Sequence, residues 1–291
     1  MNIKLLVCPD CRAELKEEHL KLKCNSCNRI YELHNTIPLL YPNHFTGNEK
    51  QMNYLEHYKF DGEYYDYFEG RICKATEHDE RRLRDYILSL IPKSASTVLD
   101  VGSGGAWLAK ALQTKNVELF SFDISPNNIS KALELYPFVK HHGIVGDALN
   151  PPFRNETFDC IISSEVIEHI VEPKLFIQKL LPLLKPGGKL IISTPYKEKI
   201  QYSICTHCNQ PTPHNAHLHS FDEKKLKDLI DDNNVLFKNY IFGNKALHML
   251  RTNFILQYLP FRLWMIFDSI ANMILNKRGH IVCVYELNIK L

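Results

Sequence analysis

Apolar positions recur along this chain with two periods, and the switches between them mark out its elements. Leu83, Tyr86, Ile87, Leu90 and Ile91 fall at i, i+3, i+4, i+7 and i+8, one apolar helical face that ends near Pro92. STVLDVGSGGAWLAKAL then reads as a short buried strand, a glycine-rich turn and a second helix. VELFSFDIS is a second apolar strand ending at Asp123, GIVGDALNPPF closes a third at Asp147, and FDCIISSEVIEHI is a fourth that runs into a helix start. KPGGKLIISTP supplies a helix C-terminus, a double-glycine turn and a fifth strand. Strands at about 235–242 and 280–288 finish the set as an antiparallel hairpin. Strands alternating with helices predict an α/β fold with a doubly wound, seven-stranded sheet.

Two stretches interrupt this rhythm, at about 197–219 and 243–279, and both read as insertions. The second holds FILQYLPFRLWMIFDSIANMIL, long enough for a bilayer but broken by Pro260, Arg262 and Asp268. From Leu263 onward, Leu263, Trp264, Phe267, Ile270, Ala271 and Ile274 form one stripe while Asn272 falls elsewhere, so an amphipathic helix is expected rather than a span. Its apolar face suits the core, a homodimer contact, a cap over the acceptor or a membrane-surface contact. Before the first helix, residues 43–78 crowd Tyr54, Tyr58, Phe60, Tyr64, Tyr65, Tyr67 and Phe68 together, either as a lid over a ligand or as packing against the N-terminal module.

Composition changes this picture little. The 35 basic and 33 acidic residues are interspersed, so no field draws the chain to nucleic acid, and the N-terminus lacks the apolar core of a secretory signal. A cytoplasmic location is expected. Nine cysteines then read as metal ligands and buried thiols rather than disulfides. Cys8, Cys11, Cys24 and Cys27 form C-x2-C-x12-C-x2-C, the spacing of a zinc ribbon in which two tight turns supply four thiolates to a closed structural site. Residues 1–42 are too few to fold by core burial alone, so the metal would supply the folding free energy. NRIYELHNTIPLLYP, which follows, resembles the end of small zinc-ribbon proteins that act as methyltransferase partners. A second pair, Cys205 and Cys208, precedes His214, His217 and His219, and a second zinc site there stays open. Cys160 and Cys283 are read as core strand residues.

The glycine turn gives D-x-G-x-G from Asp100, Gly102 and Gly104, with Trp107 where a dinucleotide binder needs its last glycine or alanine. A pyrophosphate is therefore poorly suited. Across residues 97–195 the ordered landmarks resemble the class I S-adenosylmethionine-dependent methyltransferases. By that resemblance Asp100, Gly102 and Gly104 face the methionyl portion of the cofactor, Asp123 the ribose and Asp147 the adenine. Ser164, at the end of the fourth strand, is counted with them. The plainer alternative is that these are strand-end residues or helix caps.

Glu165, Glu168 and His169 form E-x-x-E-H after the fourth strand. This resembles the metal-binding segment of small-RNA 2′-O-methyltransferases and of ubiquinone-biosynthesis O-methyltransferases, and His217 stands where the former carry a further histidine. The resemblance implies a divalent ion, magnesium or zinc, that lowers the pKa of an acceptor hydroxyl. A metal-free acid–base role is the competing reading. The expected activity is O-methylation of a small-molecule, lipid-linked or glycan hydroxyl. An rRNA or tRNA methyltransferase and a non-catalytic cofactor-binding partner protein are the alternatives.

Overall fold

The computed structural model describes residues 3–44 and 54–288, with side chains from Glu56 in the second stretch. Part of the expected aromatic linker, including the Tyr54 side chain, lies outside the described residues. Four short strands come first: β1 (Leu15–Glu18), β2 (Lys21–Cys24), β3 (Ile30–His34) and β4 (Ile37–Leu40). Helices α1 (Tyr54–Tyr64) and α2 (Lys74–Leu90) lead into β5 (Thr97–Val101), α3 (Trp107–Leu112), β6 (Glu118–Asp123), α4 (Pro126–Leu135) and β7 (His141–Gly146). Then follow β8 (Phe158–Ser164), α5 (Pro173–Leu180) and β9 (Leu184–Pro195), a small hairpin of β10 (Tyr202–Ile204) and β11 (Pro211–Pro213), and α6 (Glu223–Lys227). The chain closes with β12 (Val235–Asn244), α7 (Lys245–Met249), α8 (Asn253–Leu256), α9 (Phe261–Ile274) and β13 (Arg278–Leu287).

Seven strands make the doubly wound sheet the periodicity predicts, in the order β7-β6-β5-β8-β9-β13-β12, parallel except for β13 and β12. The sheet does not stop at seven. β4 lies parallel to β7, with Leu39 opposite Val145 and Leu40 opposite Gly146, and β1–β3 extend it to eleven strands. Gly146 makes the junction possible, because a Cβ there would stand 2.9 Å from the Leu40 carbonyl oxygen. The boundary near residue 42 thus falls beyond a strand of one continuous sheet. The apolar core is continuous as well: Leu6, Cys8, Leu22, Tyr31 and Leu40 share one buried cluster with Phe120, Phe122, Phe153 and Phe158. The Arg12 guanidinium adds hydrogen bonds to the carbonyls of Pro151 and Phe153, each 2.6 Å.

In α9 most of the apolar stripe faces outward. Leu263, Phe267, Ile270 and Ile274 face outward, while Trp264, Asp268 and Asn272 are buried. The reason is a backbone debt at the end of β12, where Gly243 turns left-handed (φ 77°) and its N–H donates to Asp268 Oδ2 at 3.0 Å. Asn244 Nδ2 in turn donates to Asn272 Oδ1 (3.0 Å) and to the Leu275 carbonyl (2.7 Å). Buried polar groups must be satisfied, and that requirement outweighs the apolar stripe. Among the described residues no helix is long and apolar enough to cross a membrane. Cys160 and Cys283 are fully buried in β8 and β13.

Candidate active site

A cavity of about 590 Å³ opens at the C-terminal ends of β5, β6 and β7, at the point where the strand order reverses. Its floor is the turn after β5, in which Gly102 (φ 70°) and Gly104 (φ 44°) take left-handed conformations that favour glycine. The Gly104 N–H donates to Asp123 Oδ2 at 2.9 Å, and the Ser125 N–H donates to Asp123 Oδ1 at 2.9 Å. Asp123 lines the cavity from the end of β6. Asp100 is buried behind the turn, and its Oδ2 has no hydrogen-bond partner. Burial, reinforced by the charge of Asp123, pushes its carboxyl up to about 8. An orphaned buried acceptor of this kind suits a ligand that brings a donor.

The other two sequence candidates are turned to the protein. Asp147 is fully buried and accepts from the Leu149 N–H and the Asn150 side chain, both at 3.0 Å, while its neighbours Gly146 and Ala148 line the cavity. The Ser164 hydroxyl lies 3.0 Å from that of Ser193. Tyr58, Asp61, Tyr65, Tyr67 and Arg71 close the cavity from above, so the aromatic segment covers it. Phe60 and Tyr64 on the same segment point to solvent. Gly105 permits this cover, since a Cβ there would meet the Tyr67 carbonyl oxygen at 2.2 Å.

The E-x-x-E-H segment is not one helical face. Glu165 sits in the left-handed region (φ 56°), and a single 3-10 turn, Ile167–His169, follows it. The two glutamates therefore part. Glu165 accepts from the Ser193 hydroxyl at 3.0 Å and has His280 Nδ1 at 3.7 Å, contacts that hold its carboxyl below the usual range against the opposing effect of burial. Glu168 is buried, accepts from Thr194 Oγ1 at 3.0 Å, and is raised well above the usual range by burial and by the charge of Glu165. Glu168, His169 and His217 come together instead, with one ligand atom from each lying within 4.8 Å of the others. Burial and His217 lower His169 to about 4, so its ring is neutral at neutral pH. His217 Nδ1 lies 2.5 Å from Glu198 Oε2, and His169 Nδ1 lies 3.3 Å from the Ala216 carbonyl oxygen. The Leu218 and His219 amides both donate to the Glu168 carbonyl, which fixes the loop bearing His217.

His280, Glu198 and Thr194 are the neighbours that sequence reasoning missed. Each lies in a strand or loop without a motif of its own, and only sheet register brings His280 opposite Pro195, beside Glu165.

A methyltransferase domain family matches residues 75–235, more than half of the chain. The chain belongs to the class I S-adenosylmethionine-dependent methyltransferases. It is 31% identical over 121 residues to a ubiquinone biosynthesis O-methyltransferase of Xylella fastidiosa, covering 38% of this chain and 46% of that protein. To the mitochondrial ubiquinone biosynthesis O-methyltransferase of Homo sapiens it is 30% identical over 142 residues, covering 42% of this chain and 37% of the relative. The chain thus spans less than half the length of these curated relatives. Among solved structures, a complex of the Haloferax volcanii Trm112 methyltransferase activator with a putative methyltransferase aligns with a TM-score of 0.53 at 18% identity, over 75% of this chain and 95% of that one. The [4+2]-cyclase SpnF aligns with the same TM-score at 14% identity, over 76% and 85%. Both likenesses speak to the fold.

In this methyltransferase the four N-terminal cysteines form a compact group. Cys8 and Cys27 sulfurs lie 3.7 Å apart and those of Cys11 and Cys24 3.4 Å. Tetrahedral zinc with bonds of about 2.3 Å needs sulfurs about 3.8 Å apart, so the group is compatible with zinc. Cys205 and Cys208 gather no third metal-binding side chain among the described residues. His217 is held by Glu198.

Proposed function

We propose that this methyltransferase moves the methyl group of S-adenosylmethionine to a hydroxyl of a small-molecule, lipid-linked or glycan acceptor. The convergence of Glu168, His169 and His217 carries the reading: the two histidines line the same cavity as Asp123, and Glu168 is buried beside them. In-line displacement needs the acceptor oxygen aligned with the methyl carbon and relieved of its proton as the new bond forms and the carbon–sulfur bond breaks. Gly102, Gly104 and Asp123 would seat the cofactor, with Asp100 and Asp147 supporting from behind. Tyr58 and Tyr67 exclude water from above.

A neutral His169 offers a lone pair at neutral pH, either to take the hydroxyl proton or to hold a divalent ion with Glu168 and His217. The second use is favoured by what backs the histidines. Glu198 and the Ala216 carbonyl occupy each Nδ1 and leave Nε2 for the site, the support that metal-bound histidines ordinarily have. The two imidazoles suit zinc, manganese or iron, and the carboxylate would also suit magnesium. Such an ion would polarise the acceptor oxygen.

The test is methyl transfer from labelled cofactor to panels of catechols and quinols, glycans and RNA, with and without chelator. Transfer to a hydroxyl panel, stopped by chelator and restored by one divalent ion, is expected. Transfer confined to RNA bases, or full activity in chelator, refutes the acceptor class or the ion respectively.

A further inference from the structure

Three Cys-x2-Cys turns occur in this chain, and all three are built alike. In each the first cysteine's N–H donates to the carbonyl five residues on: Cys8 to Ala13 (2.9 Å), Cys24 to Arg29 (2.8 Å) and Cys205 to Gln210 (2.9 Å). In each the residue four beyond the first cysteine is left-handed: Arg12 (φ 63°), Asn28 (φ 59°) and Asn209 (φ 55°). The Cys24 sulfur also receives the Ser26 N–H at 3.4 Å.

Two of these turns face each other and make the N-terminal four-thiol group. The third, at the tip of the β10–β11 hairpin, has no opposite number among the described residues. His214 cannot supply one, because its N–H pairs with the Gln201 carbonyl at the base of the hairpin, a full strand length from the tip.

We infer that Cys205 and Cys208 are half of a four-thiolate zinc site, completed by the same two cysteines of a second copy of this chain. Structural zinc takes four ligands in a tetrahedron, and one such turn supplies two. A two-fold axis through the ion supplies the other two from the same residues, as an isologous contact does. Each thiol releases its proton to solvent on binding, and the metal keeps its oxidation state. The hairpin itself lacks cover: all of β10 is exposed, with Tyr202 and Ile204 at 60% and 62%, and an isolated two-stranded hairpin is marginal in water. Pairing of hairpins around one ion removes both deficits. It also steadies the acceptor side of the cavity, because Asn215, Ala216 and His217 follow β11 directly.

Zinc content by mass spectrometry and molar mass by analytical ultracentrifugation, measured in reductant on the full chain and on its C205S/C208S variant, test this. The full chain should be a dimer, and the variant a monomer with unchanged circular dichroism and about one zinc fewer per two chains. The zinc that the variant loses should be held by sulfur alone, read as the difference between the zinc-edge X-ray absorption of the two proteins. Cys73→Ser, another exposed thiol, should change nothing. Loss of one zinc per chain with no change in mass would mean a site closed within one copy and would overturn the bridge. Equal zinc in both proteins, a dimer that survives in the variant, or a dimer seen only without reductant would each overturn it too.

Discussion

The two sides of the cavity are assembled in different ways. On the cofactor side, the glycine turn and Asp123 stand at the ends of adjacent parallel strands, and nearby amides from Gly104 and Ser125 fix the carboxylate. On the acceptor side, the stretch of the left-handed Glu165 and its 3-10 turn, the 214–217 loop and His280 of β13 come from three separate places. What joins them is a handful of long-range hydrogen bonds, chiefly the Leu218 and His219 amides on the Glu168 carbonyl. On the proposed reading, cofactor binding is a property of the sheet, whereas acceptor choice is a property of loops laid across it.

The sharpest way to break this division is Glu168→Gln. Turnover should fall roughly 10²–10⁴-fold, the usual scale for a lost acid–base or ion-binding group, while calorimetry finds cofactor affinity unchanged. A parallel loss of affinity would mean that the sides are not separable. Asp123→Ala should do the reverse, weakening cofactor binding roughly 10- to 100-fold through lost charge-assisted hydrogen bonds, with turnover recovered at saturating cofactor. Gly105→Ala probes the cover shared by both sides. Its Cβ must displace the Tyr67 backbone, so cofactor affinity should drop about tenfold and fluorescence of the aromatic segment should change.

The smallest effect tests the scaffold behind both sides. His78, buried near Trp264 and the Arg81 and Arg82 guanidiniums, is lowered to about 4, mainly by burial. The unfolded chain takes up that proton near 6.5 and the folded chain resists it, so stability present above 6.5 is lost as pH falls toward 4, by up to about 3 kcal/mol. The gap between urea midpoints at pH 7 and pH 5 should narrow in His78→Gln. An unchanged pH slope in the variant would exclude His78 as the source.

How much was legible follows the same division. Strands and the carboxylates at their ends were readable because a buried parallel strand is a continuous apolar run and its C-terminal end is where polarity returns. The cysteine spacing was readable because thiolate geometry is local. The parting of Glu165 from Glu168 was hidden, since a left-handed backbone at a glutamate leaves no mark in periodicity. So was the outward turn of the α9 stripe, which answers to a Gly243 amide 25 residues from Asp268.

By itself, then, the sequence determined the sheet, the glycine turn with its aspartates, and the thiol turns, all of which rest on periodicity or on contacts within a few residues. Tertiary structure alone decided that Glu168, His169 and His217 meet, that β4 fuses the cysteine module to the catalytic sheet at Gly146, and that one thiol turn stands open. Those outcomes depend on pairings such as Arg12 with Pro151, 139 residues apart, and no local pattern in a chain records which distant partner will satisfy a buried polar group.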